Sequence, residues 1–499
     1  MSFELETATH PEQLKRVAID PVSRVEGHGK VTILLDDDNK VHQVRLHIVE
    51  FRGFERFIQG RPYWEVPVMV QRLCGICPVS HHLAASKALD MILGVKLTPT
   101  AEKVRRLMHY GQILQSHALH FFHLSSPDLL FGFGSDVAKR NIVGVAAADP
   151  ETAKKGVLLR KFGQEVIRLT AGKRVHGTGS VPGGVNKSLS ADERALLLKD
   201  IYQMVAWSRE AVHLIRALFE KNLQEYNAFG RFRAQGMGLV RPDGAMDLFH
   251  GGLRARDADG KVLFDHFDYG RYWEIIGESV KPWSYMKFPF FKNQGPEEGW
   301  YRVGPLVRVS NCDFIPTPFA DRERTEFLAF DGGSAAGATL GYHWARMIEM
   351  LHAAEAIKDL LHDDDIVGTN LMADGGERQE RGVGVIEAPR GTLIHHYRVN
   401  EDDQVIRANL IVSTTHNNQA MNESIRQVAR QYLDGHQVTE GLLNHIEVAI
   451  RAFDPCLSCA THALGQMPLE VSIEDANGTV LDRAARDGNG RFIAGGVAG

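Results

Sequence analysis

The chain has 499 residues, too many for one simple core, and its length predicts two or three packed sub-regions. Its 57 basic and 62 acidic residues leave a formal net charge of −5, so the totals give no sign of a nucleic-acid-binding or membrane surface. Only five residues are cysteines, far fewer than a disulfide-stabilised secreted scaffold of this size would need.

The N-terminus lacks the features of a targeting signal. The first ten residues, MSFELETATH, contain neither a basic region nor an apolar run. No stretch of about eighteen uninterrupted apolar residues occurs in the sequence. These observations predict a soluble protein of the reducing cytoplasm without a membrane span.

The predicted elements begin with two strands. Residues 30–35 and 41–48 are rich in β-branched and apolar side chains, and the acidic run at 36–39 supplies a turn between them. Three long helices follow, with capping residues at Thr98, Asp149 and Ser190. The first is predicted to end at about residue 123. Their apolar residues recur at three- and four-residue spacing, which is typical of a helix bundle.

The stretch from about residue 230 to 330 is rich in glycine, proline and aromatic residues and predicts irregular structure with short strands. Together the patterns predict an α+β fold that is predominantly helical, with a central helix bundle and small peripheral sheets. The chain divides into five segments, namely an N-terminal strand segment 1–60, a helical bundle 61–230 with the first cysteine pair, a mixed segment 231–380 containing a helix, a segment 381–462 with the second cysteine pair, and a C-terminal extension 463–499.

Four of the five cysteines form two Cys-x-x-Cys pairs at opposite ends of the chain, Cys74 with Cys77 and Cys456 with Cys459. Thiolates concentrated in this way are ligands for zinc, nickel, low-valent copper or iron. A structural zinc site would normally draw both pairs from one short segment, a disulfide framework is unnecessary in so long a chain, and inert buried thiols need not occur as spaced pairs. The pattern therefore predicts that the two ends meet around a metal, either structural or catalytic.

Three charged residues stand in unusual local sequences near these pairs. Glu26 and Glu55 lie in glycine-containing turns, and Arg390 lies between a proline and a glycine. Such glycines indicate close approach of the backbone to another group. From composition alone, surface turns are the favoured interpretation of the two glutamates. Arg390 fits either an ordinary turn or a guanidinium fork presented to an anionic ligand.

Seven motifs resemble, in order, those of the large, catalytic subunit of nickel-iron hydrogenases: RVEGHGK, EFRGFE, RLCGICPVSHH, GKRVHGTGSVPGG, VGPLVR, EAPRG and DPCLSCATH. Details such as EAPRGTLIHHYR and DPCLSCATHALGQMPL are similar to the cytoplasmic, NAD-reducing branch of that family. The sequence has no Gly-x-Gly-x-x-Gly motif after a predicted strand, no Walker motif and no cysteines spare for an iron–sulfur cluster. The acceptor site is therefore expected on a partner chain.

The resemblance implies a nickel–iron centre held by the four paired cysteines. Two of them, Cys74 and Cys456, would be terminal ligands of nickel, whereas Cys77 and Cys459 would bridge nickel and iron. Four thiolates give nickel an electron-rich field and leave one position open for the substrate, dihydrogen.

The iron of this family carries cyanide and carbon monoxide. The resemblance makes Arg390 and Thr414 the hydrogen-bond donors to the cyanide nitrogens. Periplasmic relatives have proline where this chain has Ser413, a departure beside the second donor. From spacing alone His81 is a packed helix residue, but the resemblance makes it a donor to a bridging sulfur, which adjusts the electron density of the metals.

The implied reaction is reversible, heterolytic cleavage of dihydrogen. In the resemblance the thiolate of Cys456 accepts the proton and relays it to Glu26. The guanidine of Arg390 is an alternative base, which is disfavoured because an arginine pKa lies far above neutrality.

A second metal is also implied, magnesium or, in some relatives, iron. Its ligands would be Glu55, the backbone carbonyl of Leu410 and His462, so that it joins the two ends of the chain. Precursors of this family are cut after the histidine of the last motif, between His462 and Ala463 in this sequence. The alternative is an ordinary terminal element, because the sequence around Asn477-Gly478 is typical of a hairpin.

Electrons would leave through a small subunit with iron–sulfur clusters and reach flavin- and iron–sulfur-containing diaphorase subunits that reduce NAD. Alternatives within the enzyme class are related cytoplasmic hydrogenases that use a deazaflavin, a ferredoxin or polysulfide. A non-catalytic alternative is a relative of the quinone-module subunit of respiratory complex I, a structural element that shares the architecture but lacks the four cysteines. The presence of both cysteine pairs favours the enzyme.

Overall fold

The computed structural model describes residues 14–50, 53–281 and 283–461, together with three C-terminal strands. The α-helices of this part of the chain, α1 to α17, are Phe54–Phe57, Val66–Met69, Pro78–Leu93, Pro99–Leu119, Ser126–Phe131, Ile142–Ala148, Pro150–Ala171, Ala191–Lys221, Leu223–Ala228, Gly295–Glu298, Pro305–Asn311, Pro318–Ala329, Ser334–Gly337, Gly341–His362, Ser413–His416, Asn418–Tyr432 and Glu440–Ala452. The strands, β1 to β17, are Lys15–Ile19, Gly29–Leu35, Val41–Ile48, Ser180–Val181, Gly184–Val185, Gln235–Val240, Gly252–Arg256, Val262–Phe267, Ile276–Ser279, Phe288–Phe291, Tyr301–Arg302, Arg381–Ala388, Gly391–Val399, Val405–Ile411, Leu469–Glu474, Val480–Arg486 and Phe492–Gly495. The predicted α+β, predominantly helical class is confirmed.

The two predicted N-terminal strands are confirmed as β2 and β3, which pair antiparallel with Val31 opposite Leu46. The acidic run between them forms the expected turn, closed by the Asn39 amide donating to the Asp36 carbonyl at 3.0 Å. A third strand, β1, was not predicted and pairs with β2. The resulting sheet has the order β1-β2-β3.

Local start signals correctly located the three predicted helices. Thr98 and Asp149 accept hydrogen bonds from backbone amides in the first turns of α4 and α7, and Ser190 completes a capping box with Glu193 at the start of α8. Helix α4 ends at Leu119 and passes into a π-helical turn, His120–Ser125. The predicted end at about residue 123 therefore falls inside that turn.

Helix α14 lies at the centre of the larger apolar core and packs against α4, α8, α11 and α12. It is the longest of several helices in residues 231–380, and nearly all its residues up to Ile357 are buried. A helix enclosed on every side has no solvent face, so its sequence lacks a polar stripe. None of the helices in the described ranges is both long and apolar enough to cross a membrane.

A second apolar cluster is built by α3 and the antiparallel sheet β12-β13-β14. Two glycines of β12 allow α3 to lie directly on the sheet, because a Cβ at Gly382 would be 1.9 Å from the Ala88 carbonyl oxygen and one at Gly384 would be 2.0 Å from that of Ala84. This contact holds the N-terminus of α3 beside the turn between β12 and β13. Both cysteine pairs belong to the same cluster.

Lys87 of α3 is a buried cation beneath this sheet. Its Nζ donates to the carbonyl oxygens of Phe249 and Val385, the latter at 2.7 Å, and burial lowers its pKa from 10.5 to about 7. Between about pH 7 and 10 the unfolded state therefore binds more protons than the folded state, so the free energy of unfolding rises with pH. We expect Lys87→Met to flatten this rise, measured as urea midpoints across that window. The exposed Lys96→Met is the matched control, and an unaltered slope in Lys87→Met would contradict the assignment.

Candidate metal centre

The four paired cysteines meet in the protein interior. Cys77 is the N-cap of α3, and Cys456 and Cys459 lie in the segment that follows α17, where Cys456 forms a β-bridge with Glu26. The four Sγ atoms all lie within 4.8 Å of one another. Across the two pairs, Cys74 Sγ is 3.3 Å from Cys456 Sγ, and Cys77 Sγ is 3.8 Å from Cys459 Sγ. The structure thus brings together the two ends of the chain, as the sequence predicted.

The electrostatics of this cluster favour a bound cation. Burial raises the pKa of the Cys456 and Cys459 thiols well above the ordinary value, whereas hydrogen bonds from Cys456 and the other cysteines lower that of Cys77. Four thiolates this close would repel one another in a dry interior. A soft or borderline metal ion removes the repulsion and uses the donor atoms it prefers. The four thiols therefore fit a thiolate-bound metal centre.

Glu26 contacts this cluster directly. Its Oε2 accepts hydrogen bonds from Cys456 Sγ at 3.0 Å and from the Ser458 amide at 3.1 Å. The two chain ends also meet through their backbones, because the Leu457 amide donates to the Glu26 carbonyl at 2.9 Å. The surface-turn interpretation is wrong for Glu26, and the close approach suggested by its neighbouring glycine is confirmed.

Arg390 also lies beside the cysteines, because it lines a cavity with Cys77 and Cys456. Its Nε donates to the Asp454 carbonyl at 2.6 Å and its Nη2 to Asp454 Oδ1 at 3.1 Å. Its buried Nη1 has no hydrogen-bond partner among the described residues. Burial alone would lower the pKa of the guanidinium, but the Asp454 carboxylate and the cysteines raise it well above the ordinary value. Arg390 therefore stays a donor, which disfavours its role as a base.

Arg390 and two of the four cysteines line the same small cavity. Its wall includes Cys77, His81, Arg390, Thr414 and Cys456. The hydroxyl oxygen of Thr414 accepts a hydrogen bond from the Cys456 amide at 2.9 Å, so its proton is available to a ligand in the cavity. Ser413, the departure noted in the sequence, donates instead to the Gly391 carbonyl at 2.6 Å. The cavity thus brings the donors of Arg390 and Thr414 near Cys77 and Cys456.

The predicted second metal site is described only in part. Glu55 is buried, and its Oε1 accepts a hydrogen bond from the amide of Leu410 at 2.7 Å, so this glutamate is not a surface-turn residue either. Burial raises its pKa to about 7, against the opposing charge of Lys287. The contact with Leu410 involves the amide, and the role predicted for its carbonyl is untested. His462 lies outside the described residues.

Sequence reasoning missed two side chains that support the centre. Asp454 fixes Arg390 and is buried, although it stands only two residues before Cys456. Nε2 of His395 lies 3.1 Å from Nδ1 of His81, the predicted donor. Alternation along β13 places His395 on the same face as Leu393, which lines the cavity, but only the folded structure shows that this face turns towards the cysteines.

The fold and this cluster define a metalloprotein with a buried four-thiolate centre next to a carboxylate. A family model described as nickel-dependent hydrogenase matches residues 52–155 and 267–462, and a model described as HoxL-like matches residues 16–51. The chain belongs to the nickel-dependent hydrogenase family. The resemblance found in the motifs is confirmed.

Individual relatives agree with this assignment. The beta subunit of the NAD-reducing hydrogenase HoxS of Cupriavidus necator is 50% identical, over 95% of this chain and 100% of the relative. A chain of the F420-non-reducing hydrogenase vhc of Methanococcus voltae is 41% identical, over 94% and 99%. A solved NAD+-reducing [NiFe]-hydrogenase in the H2-reduced state is 60% identical with a TM-score of 0.89, covering 90% of this chain and 99% of that one. The chain therefore has the fold of the hydrogenase large subunit.

The close contact between Gly27 and Ser458 predicts that no larger residue fits at position 27. Gly27 has a φ of +80°, and a Cβ there would lie 2.6 Å from the Ser458 amide nitrogen. We expect Gly27→Ala to push the second cysteine pair away from Glu26 and to lower the nickel content measured by elemental analysis. Gly60 is the matched control, because its φ is +79° and a Cβ added there would have nothing within 4 Å. Equal nickel contents in the two variants would refute this account.

Proposed function

We propose that this chain is the catalytic subunit of an enzyme that reversibly and heterolytically cleaves dihydrogen at a nickel–iron centre. The observation that carries the proposal is the convergence of four buried cysteine sulfurs with a carboxylate oxygen 3.0 Å from one of them. Family membership supports the same activity. The complex I-like alternative is disfavoured, since such relatives lack the four cysteines.

The cysteines would divide their roles according to position. Cys74 and Cys456 would bind nickel as terminal ligands, and Cys77 and Cys459 would bridge nickel to iron. When bound, the nickel–iron centre would polarise dihydrogen and take up the electron pair of its bond. The Sγ of Cys456 would hold the released proton and pass it to Oε2 of Glu26 over the 3.0 Å contact.

Arg390 and Thr414 would bind the non-protein ligands of iron, cyanide and carbon monoxide. Arg390 and Thr414 both line the cavity beside Cys77 and Cys456. Arg390 has an unpartnered Nη1 and Thr414 has an available hydroxyl proton, which supports roles as donors to cyanide nitrogens. A fixed guanidinium suits an anionic ligand because its charge is permanent.

A second metal, magnesium or iron, would bind near Glu55 with Leu410 and His462. The buried Glu55 carboxyl supports a cation there, because an ion would offset the cost of ionising this carboxyl in the interior. The C-terminal extension from Ala463 would be removed when nickel is in place. Its new terminus would then bring His462 to the second metal.

NAD is the proposed final acceptor. The relatives at 50% and 60% identity are both named NAD-reducing hydrogenases. Their acceptor supports NAD over a deazaflavin, ferredoxin or polysulfide. Since four of five cysteines lie in the centre, electrons would leave through a small iron–sulfur subunit, from which they would continue to flavin-containing diaphorase subunits.

The decisive experiment is metal analysis of the large subunit separated from its partners, combined with infrared spectroscopy of the complex. We expect nickel and iron in equal amounts when the second metal is magnesium, and one further iron when it is iron. We also expect absorption bands of bound carbon monoxide and cyanide, which occur where protein does not absorb. Cys77→Ser should lose both metals, while the buried Cys312→Ser, outside the cluster, should keep them. Zinc in place of both metals would overturn the proposal.

A further inference from the structure

A line of buried polar side chains leads away from Cys77. His81 lies one helical turn after Cys77 at the start of α3, and both line the cavity. His81 Nδ1 is 3.1 Å from His395 Nε2, and His395 Nδ1 is 2.6 Å from the hydroxyl oxygen of Tyr397. All three side chains are at most 1% exposed, so water does not substitute for any of these contacts.

The ends of this line fix the direction of every hydrogen bond in it. A metal-bound thiolate carries no proton and only accepts. His81 and Cys77 line the same cavity, and the His395 contact occupies Nδ1 of His81, so Nε2–H is the nitrogen left to donate towards the sulfur. Neutral His81 then accepts at Nδ1, which makes Nε2–H of His395 the donor across the 3.1 Å contact. His395 in turn accepts at Nδ1, and the donor there is the hydroxyl of Tyr397. Three donors therefore point in the same sense, towards the sulfur.

We propose that His395 and Tyr397 are positioning residues that hold His81 in the tautomer that donates to Cys77. The proposal rests on the function proposed above, because the thiolate that needs the donor is the one bound to the metals. In the opposite polarity a lone pair of His81 would face the thiolate, and two negative regions would meet in a dry interior. The hydroxyl of Tyr397 stabilises the productive polarity from the far end.

The consequence is electronic as well as geometric. A hydrogen bond to a bridging thiolate withdraws electron density from the sulfur and hence from the metals. A weaker hydrogen bond from His81 should make the Cys77 sulfur give more electron density to the metals. Iron-bound carbon monoxide should then absorb at lower wavenumber, because the metal returns more electron density to it, and the midpoint potential of the nickel should fall.

The test is Tyr397→Phe in the whole complex, with Tyr272→Phe as the matched control. Tyr272 is also a buried tyrosine whose hydroxyl contacts a histidine of β13, since its Oη is 3.2 Å from Nδ1 of His396. His396 follows His395 directly in the strand and so lies on the opposite face of the sheet. We expect the carbonyl band of Tyr397→Phe to move to lower wavenumber and turnover to fall about tenfold. Tyr272→Phe should leave the band in place.

A second pair of variants separates positioning from packing. His395→Gln keeps an N–H donor near the position of Nε2, whereas His395→Leu removes it. We expect Leu to shift the carbonyl band and Gln to restore most of its position. A nickel-loaded Tyr397→Phe with the wild-type band would overturn the positioning proposal alone. Absence of carbonyl and cyanide bands from the wild-type complex would instead overturn the proposed function.

Discussion

The Glu26→Gln variant is expected to keep its metals and lose about 100-fold or more in turnover, since general acid–base groups contribute roughly 10²–10⁴-fold. Glutamine retains a carbonyl oxygen that accepts from the Ser458 amide, so the 3.1 Å contact and the position of the second cysteine pair survive. An amide cannot take up and release a proton from Cys456. The loss should therefore appear in dihydrogen/deuterium exchange with water, measured on nickel-loaded protein.

The exposed Glu65→Gln provides the control for the same chemical change. It should exchange at the wild-type rate. If Glu26→Gln also exchanged normally, protons would leave the site by a route that does not involve this carboxylate, and the role of the 3.0 Å contact with Cys456 would have to be abandoned.

The second large effect is expected in stability, from Arg308→Met. Arg308 is 1% exposed, and its Nε donates to Glu349 at 2.6 Å while its Nη1 donates to Glu387 at 2.8 Å. Its Nη1 also donates to the Ala388 carbonyl at 2.9 Å, two residues before Arg390. Removing it leaves buried carboxylates without a counter-charge, a change that costs about 3–5 kcal/mol. Chemical denaturation should show a correspondingly lower free energy of unfolding.

Two controls identify the cause. Arg233→Met removes an ion pair with Asp259 in which both side chains are 72% exposed, and such surface pairs contribute about 0–1 kcal/mol. Adding Glu349→Gln and Glu387→Gln to Arg308→Met should recover part of the loss, because the uncompensated charges are then gone. No recovery would show that packing, and not charge, is the larger contribution of Arg308.

Local chemistry explains why the sequence predicted so much of this molecule. The capping residues Thr98, Asp149 and Ser190 act within three residues of themselves, so their helix starts are readable without the fold. The cysteine pairs were equally readable, because their ligand types and spacing carry the chemistry. Roles for Glu26 and Arg390 came only with the resemblance, since their own neighbourhoods allowed ordinary turns.

What the sequence did not predict depends on contacts between distant segments. His81 and His395 are 314 residues apart, and no local pattern indicates that their ring nitrogens meet. Asp454 is another case, because it becomes the counter-ion of Arg390 only when the fold brings together two residues that are 64 positions apart in sequence. Strand β1 is short and begins Lys-Arg, and its pairing with β2 stabilises it more than its own composition does.

The distance in sequence between the two cysteine pairs also determines when the metal site can assemble during synthesis. Cys74 and Cys456 are separated by 382 residues, and chain synthesis proceeds at roughly 5–20 residues per second. The first cysteine pair therefore leaves the ribosome some tens of seconds before the second, when the binding site is still incomplete. Because Glu26 and Arg390 contact the segment that carries the second pair, the site cannot close before that segment has been synthesised. A metal that needs all four sulfurs can therefore bind only after the second pair has been synthesised.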